Sequence, residues 1–176
     1  MKNILAIGAS NSRKSINKVL ANHIANQVQD VNVRTLDWKD MVLPLYSPDL
    51  EGEIGIPENA KIFVQMIADS DAIVLSLAEH NGQTSAAFKN LWDWISRVDM
   101  SFWAKKPMFL AATSPGGRGG LGALGIVKSV ISHFGGNLIT DFSLPSFYDN
   151  FKESKIVDSA KNEELMEKIK LFKASL

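Results

Sequence analysis

Short, wholly apolar runs separated by amphipathic stretches recur from one end of this 176-residue chain to the other. Asn3–Gly8 (NILAIG) is an unbroken apolar run closed by glycine, the pattern of a strand buried on both faces. Ile16, Val19, Leu20, Ile24 and Val28 then recur at helical spacing and predict a helix over Ile16–Gln29. Val31–Leu36 alternates as a second strand, Glu58–Ser70 reads as a helix through Ile62, Met66 and Ile67, and Asp71–Leu77 (DAIVLSL) as a third strand. A helix over Ser85–Val98, a strand at Pro107–Ala112, a helix over Gly120–Phe134, a strand at Asn137–Phe142 and a closing helix over Asn162–Phe172 complete the series. Strand and helix in alternation demand a parallel sheet, because right-handed crossovers return the chain to the same edge and lay helices on both faces. Five strands and five helices make a doubly wound α/β sandwich. Neither a repeat nor a linker divides residues 1–176, so a single domain is expected.

Composition removes several function classes. Lys and Arg number 19 and Asp and Glu 19, so no broad field exists to hold a polyanion, and nucleic-acid binding is not expected. Cysteine is absent, which excludes a disulfide scaffold, a thiolate metal site and cysteine catalysis. The three histidines, His23, His80 and His133, show no ligand spacing, and no metal site is expected. No Ser-His-Asp set sits at a nucleophile elbow, which disfavours a hydrolase. The opening MKNILAIGAS turns polar too soon for a signal peptide and no run reaches the length of a membrane span, so a soluble, cytoplasmic protein is expected.

In open α/β sheets ligands bind beyond the carboxyl ends of the strands. The loops after the first, third and fourth strands are therefore the candidates. The first, Gly8 to Asn17 (GASNSRKSIN), joins strand to helix with three serines and two cations. Helix N-terminal amides favour an anion, and hydroxyls and an arginine add hydrogen bonds suited to a terminal phosphate. The same residues also read as a polar turn with Ser15 as helix cap. The second, Ala78 to Ser85 (AEHNGQTS), carries an Asn-Gly turn that leaves backbone amides facing outward. The third, Thr113 to Gly122 (TSPGGRGGLG), lets backbone approach a flat ligand closely. Gly117, Gly119 and Gly122 also spell the Gly-x-Gly-x-x-Gly fingerprint of dinucleotide folds, with Asp141 roughly 20 residues on. That fingerprint normally follows the first strand of a unit, and here only one strand and one helix remain. Two long connections, Met41–Pro57 with three of the six prolines and Leu144–Ser154, are candidates for function or for plain surface.

These stretches together resemble the NADPH-dependent FMN reductase family, flavodoxin-like flavoproteins that include quinone, azo and chromate reductases. The family's Gly-Ser-x-Arg-x-x-Ser-x-Asn is similar to Gly8 through Asn17, with one extra residue before the arginine. Its Leu-Pro-Leu-Tyr stands as Leu43-Pro44-Leu45-Tyr46. Its Pro-Glu-Tyr-Asn and later Leu-Lys-Asn-x-x-Asp-Trp stand as Ala78-Glu79-His80-Asn81 and Phe88-Lys89-Asn90-Leu91-Trp92-Asp93-Trp94, with Ala78 and His80 departing from the pattern. The resemblance implies a flavodoxin-like, five-stranded parallel sheet of order 2-1-3-4-5 with helices on both faces. It implies that Ser10, Ser12, Arg13, Ser15, Ile16 and Asn17 hold the phosphate of FMN. Glu79, His80, Asn81 and Gly82 would border the isoalloxazine and ribityl, and Ser114, Gly116, Gly117, Arg118 and Gly119 the pyrimidine side.

The implied reaction passes hydride from NADPH or NADH to flavin N5 and electrons on to a quinone, azo compound, free flavin or similar small-molecule acceptor, with no catalytic side chain. His80 would shape substrate choice or stand as an exposed loop histidine. Arg118 would pair with nicotinamide-nucleotide phosphates or remain a solvated charge. The Ser85–Val98 helix, with Phe102 and Trp103 beyond it, is apolar on most sides, which suits deep burial or a subunit interface. The resemblance favours a homodimer, or a homotetramer, built through that helix. The alternatives are a non-catalytic flavodoxin-type electron carrier, disfavoured by the zero net charge, and an FMN-binding regulatory protein.

Overall fold

The computed structural model describes residues 1–176. The chain opens with β1 (Lys2–Ala9), α1 (Ile16–Gln27) and β2 (Val31–Thr35). A short 3-10 turn at Trp38–Asp40 leads to α2 (Pro48–Ile54), α3 (Glu58–Ala68) and β3 (Ala72–Leu77). A small hairpin, β4 (Glu79–His80) and β5 (Gln83–Thr84), precedes α4 (Ala86–Val98) and β6 (Pro107–Thr113). Then come α5 (Leu121–Val130), β7 (Asn137–Leu144), α6 (Phe147–Asn150), a second hairpin of β8 (Phe151–Lys152) and β9 (Lys155–Ile156), and α7 (Ser159–Ala174). No helix is long and apolar enough to cross a membrane.

The five long strands form one parallel sheet in the order β2-β1-β3-β6-β7, the expected 2-1-3-4-5 order with the two hairpins left out of the count. Side-chain alternation sorts the three central strands between two cores. Leu5, Ile7, Ile73, Leu75, Met108 and Leu110 face α3, α4 and α5, whereas Ile4, Ala6, Val74, Phe109 and Ala111 face α1 and α7. Burial on both faces is why these strands read as continuous apolar runs. Each of α1, α2, α4 and α7 starts at a residue whose side chain accepts a first-turn N–H: Ser15, Ser47, Ser85 and Asp158.

Two expectations need correction in detail, and of the two readings open for α4 the structure supports burial. The helix expected over Gly120–Phe134 ends as α5 at Val130 and tightens into a 3-10 turn at Ile131–Phe134, which Gly135 closes with φ at 77°. The Met41–Pro57 connection contains α2 and is pinned to α4. Tyr46 N–H donates to Asn90 Oδ1 (2.8 Å), and both Asn90 Nδ2 and Trp94 Nε1 donate to Pro44 O. The apolar surplus of α4 is mostly absorbed within the chain. Trp94, Phe102 and Trp103 are fully buried, and Trp92 lies edge-on to Phe102, Trp103 and Phe134 at 5.1 to 5.7 Å between centroids.

Candidate functional site

The β1–α1 loop is shaped by a close approach. A Cβ on Gly8 would lie 2.3 Å from Lys18 N and 2.8 Å from Asn17 C, so only glycine lets the end of β1 meet the start of α1. The Gly8 carbonyl accepts the indole N–H of buried Trp38, which props the loop from below. Beyond it, Ser10 Oγ accepts from Ser12 N, Ser12 Oγ from Lys14 N, and Ser15 Oγ from Lys18 N. Each hydroxyl thus takes a backbone N–H and retains its own proton to donate. The N–H groups of Ile16 and Asn17, in the first turn of α1, have no acceptor within the protein. Three hydroxyls and a helix N-terminus with free amides make an anion receptor.

Asn17 lines the cleft and also does structural work. Its side chain is buried and held: Oδ1 accepts from Ser76 Oγ (2.7 Å) and Thr113 N (3.1 Å), and Nδ2 donates one of its two hydrogens to Thr113 O (3.1 Å). It ties α1 to the ends of β3 and β6. Its backbone N–H and the second Nδ2 hydrogen have no acceptor within the protein.

The loops after β1, β3 and β6 converge on one cleft of about 190 Å³. Ser10, Ser12, Ser15, Ile16, Asn17, Glu79, His80 and Ser114 all line it. Lys14 and Tyr148 join the wall, and sequence reasoning missed both. Tyr148 arrives because Ser146 N and Phe147 N donate to Gly116 O and Ser114 O, clamping α6 onto the glycine loop. The aromatic content of Leu144–Ser154 was the available signal.

The remaining expected residues stand elsewhere. Arg13 lines a neighbouring cavity on the other side of the loop. Asn81 and Gly82 form the exposed tip of the β4–β5 hairpin, with φ of 54° and 76°. Gly116, Gly117 and Arg118 lie exposed at the rim, while Gly119 is buried against Ser143 and Pro145. Nothing crowds Gly82 or Gly117 within 4 Å, so both leave open backbone beside the cleft.

Glu79 explains part of the glycine fingerprint. Helix α5 follows Gly120, which offers no side-chain cap, and Glu79 Oε2 accepts from Ala123 N (3.0 Å). A Cβ on Gly122 would lie 2.8 Å from that carboxylate oxygen. Gly122 therefore admits the carboxylate to the positive end of α5, and the motif here serves helix capping.

A family model for NADPH-dependent FMN reductase matches residues 2–149. The chain belongs to that family. As a member of the FMN reductase family it is an oxidoreductase that works with FMN and NAD(P)H. The family chain is 32% identical over 155 residues to a 2-hydroxy-1,4-benzoquinone reductase of Burkholderia sp, covering 87% of this chain and 81% of that one. It is 42% identical to a quinone reductase of Pseudomonas putida over 82 residues, 46% of this chain and 44% of the other. Among solved structures it superposes on FerB, a flavoenzyme NAD(P)H:(acceptor) oxidoreductase from Paracoccus denitrificans, with a TM-score of 0.77 at 23% identity over 99% and 97% of the two chains. The residues present fit the family's cofactor: proton donors and free amides supply a phosphate seat, and uncrowded glycine backbone at Gly82 and Gly117 leaves room for a flat ring.

Proposed function

We propose that this chain is an NAD(P)H:quinone oxidoreductase that seats FMN in the cleft between the β1–α1 loop, the β4–β5 hairpin and the glycine loop after β6. The observation that carries the reading is the convergence there of three undonated serine hydroxyls and the free amides of Ile16 and Asn17. These groups would hold the phosphate, with Lys14 adding charge. Ser114, His80 and the Asn81–Gly82 tip would border the ring, and the exposed Gly116–Arg118 backbone would offer N–H groups to its pyrimidine edge. When bound, the flavin supplies the redox chemistry, accepting hydride from NAD(P)H at N5 and returning the electrons to a quinone-type acceptor. The protein's part is to orient the ring, keep one face open and stabilise negative charge. The Burkholderia relative's name favours a hydroxylated benzoquinone as acceptor.

A second copy of the chain would close the site. An apolar groove of about 310 Å³ between α4 and α5, lined by Phe88, Trp92, Ile126, Val127 and Val130, is the surface we assign to a homodimer. Sedimentation equilibrium of the wild type and of Ile126→Asp tests it, with dimer expected for the first and monomer for the second; a monomeric wild type rejects the assignment.

The decisive test of the cofactor reading is the visible spectrum after incubation with FMN and desalting. Bands near roughly 370 and 450 nm, bleached by NAD(P)H without oxygen, are expected. A colourless protein overturns the reading.

A further inference from the structure

The family motif sets its arginine three residues before the serine that caps the first helix. In this chain that place is Ser12, and the arginine follows one position later as Arg13. The offset shows in three dimensions. Lys14 lines the cleft between the three loops, whereas Arg13 lines a separate cavity of about 480 Å³ with Lys18, Lys39 and Asp37. Three cations there face one carboxylate, and that carboxylate is already engaged. Asp37 accepts from Lys39 N (3.2 Å) and pairs with Lys39 Nζ (3.4 Å). Its carboxyl is held below the usual range, first by the Lys39 N–H and further by the charge of Lys18. Neither Arg13 nor Lys18 takes part in any of the chain's ion pairs. In a chain of zero net charge this is a concentrated local surplus.

The cavity adjoins the cleft at Ser12, one of the three hydroxyls of the phosphate seat. Through Asn11 and Trp38 it adjoins a largely apolar pocket of about 370 Å³, which Met41, Leu43 and Ala87 also line. Trp38 is a fixed wall between the two, because its buried indole N–H donates to Gly8 O. An anion seat, a cationic cavity and an apolar pocket thus follow one another around a single loop. Their order is the order of groups in a flavin dinucleotide. FMN ends at its phosphate and would use only the first of the three. FAD continues from that phosphate into a second phosphate, a ribose and an adenine. The second phosphate would meet the cations that FMN leaves without a partner, with the guanidinium able to grip two of its oxygens. The flat purine suits a pocket walled by an indole and aliphatic side chains.

Resting on the flavin reading above, we infer that this chain holds FAD as well as FMN, with Arg13, Lys18 and Lys39 binding the second phosphate and the pocket of Trp38, Met41 and Ala87 taking the adenine. The first phosphate keeps its seat on the serines and the amides of α1 with either flavin. Retention of FMN then depends on that seat and on Lys14, and not on Arg13.

The test is calorimetric titration of the flavin-free protein with FMN and with FAD. A site that ended at the first phosphate would hold FAD the more weakly, because the adenosine would have no seat and esterification removes a negative charge from that phosphate. Here FAD is expected to bind at least as tightly as FMN. The Lys18→Gln/Lys39→Gln variant is expected to weaken FAD about tenfold or more and FMN by no more than about twofold. Arg13→Gln is expected to act in the same direction and retain FMN. Ala87→Phe fills the apolar pocket without changing charge, and is also expected to weaken FAD alone. Undiminished FMN binding shows that each variant is folded. A wild type that binds FMN about tenfold more tightly than FAD overturns the inference and leaves the flavin reading standing. Variants that weaken both flavins by one factor move the cations to the shared first phosphate and overturn it too. So do variants that change neither, which would leave the cations to some other anion, such as an acidic partner. Binding of neither flavin overturns the flavin reading as well.

Discussion

Replacing Asn17 by alanine removes three hydrogen bonds at a point where α1, β3 and β6 meet. Asn17, Ser76 and Thr113 are each at most 3% exposed, so water cannot take over as a partner. The Ser76 hydroxyl can rotate, but the amide and carbonyl of Thr113 are fixed by the strand. Orphaning a buried polar group costs about 1–3 kcal/mol, so two backbone groups plus a weakened hydroxyl come to about 3–5 kcal/mol. That is a large part of a typical total of about 5–15 kcal/mol. With a urea m-value of about 2–3 kcal/mol per molar, the midpoint should fall by about 1–2.5 M. Asn17→Asp sharpens the test. It preserves the acceptor for Ser76 and Thr113 N but sets an oxygen against Thr113 O, where Nδ2 now donates. Burial and that repulsion raise the new carboxyl's folded pKa above its unfolded value of about 3.9. Its best stability therefore lies below that unfolded value and is lost as pH rises through the folded pKa. Urea titrations of all three proteins from pH 4 to 8 provide the measurement. A loss under about 1 kcal/mol for the alanine variant, or an aspartate variant whose deficit is flat with pH, would refute the assignment.

Other consequences are simpler. Gly8→Ala forces a methyl against the Lys18 and Asn17 backbone, so about 3 kcal/mol and roughly 6–12 °C in Tm should be lost; a shift within about 2 °C would show that α1 can move aside. Glu79→Gln retains an acceptor for Ala123 N and should cost only about 0.3–1 kcal/mol from the helix dipole, while Glu79→Ala should cost about 1–2 kcal/mol; equal losses in thermal melts would mean that the cap contributes nothing. Burial lowers the pKa of His23, whose ring meets Phe151 edge-on at 5.1 Å, so the folded state favours the neutral ring. Its contribution is whole above the unfolded pKa near 6.5 and is lost as pH falls toward the folded value. His23→Gln should therefore flatten the stability profile between about pH 6.5 and 5, and an unchanged slope would reject that reading.

The strands of the sheet were legible because burial on both faces leaves a signal that needs no knowledge of neighbours: an apolar run, a polar loop, an amphipathic stretch. Their order came from the family resemblance, because which strands pair leaves no such local signal. Gly8, the three serines and the Asn-Gly turn were legible for a similar reason, since each answers a local demand of backbone or helix end. The hairpins and α2 were not, being too short for periodicity to register.

Side-chain direction was the larger gap. Arg13 and Lys14 are adjacent in a loop of cations and hydroxyls, and only the folded loop sends Lys14 to the cleft between the three loops and Arg13 to the cavity behind it. Glu79 lines the cleft as expected, but that its carboxylate also caps α5, 44 residues away, was not readable from the sequence. Tyr148 reaches the cleft only because backbone bonds dock α6 on the glycine loop. Local chemistry determined which strands, turns and anion-binding groups this chain would have. Contacts between residues far apart in the chain decided which of those groups share a cavity, because such contacts depend on the packing of the sheet's two layers and on no spacing that a linear sequence displays.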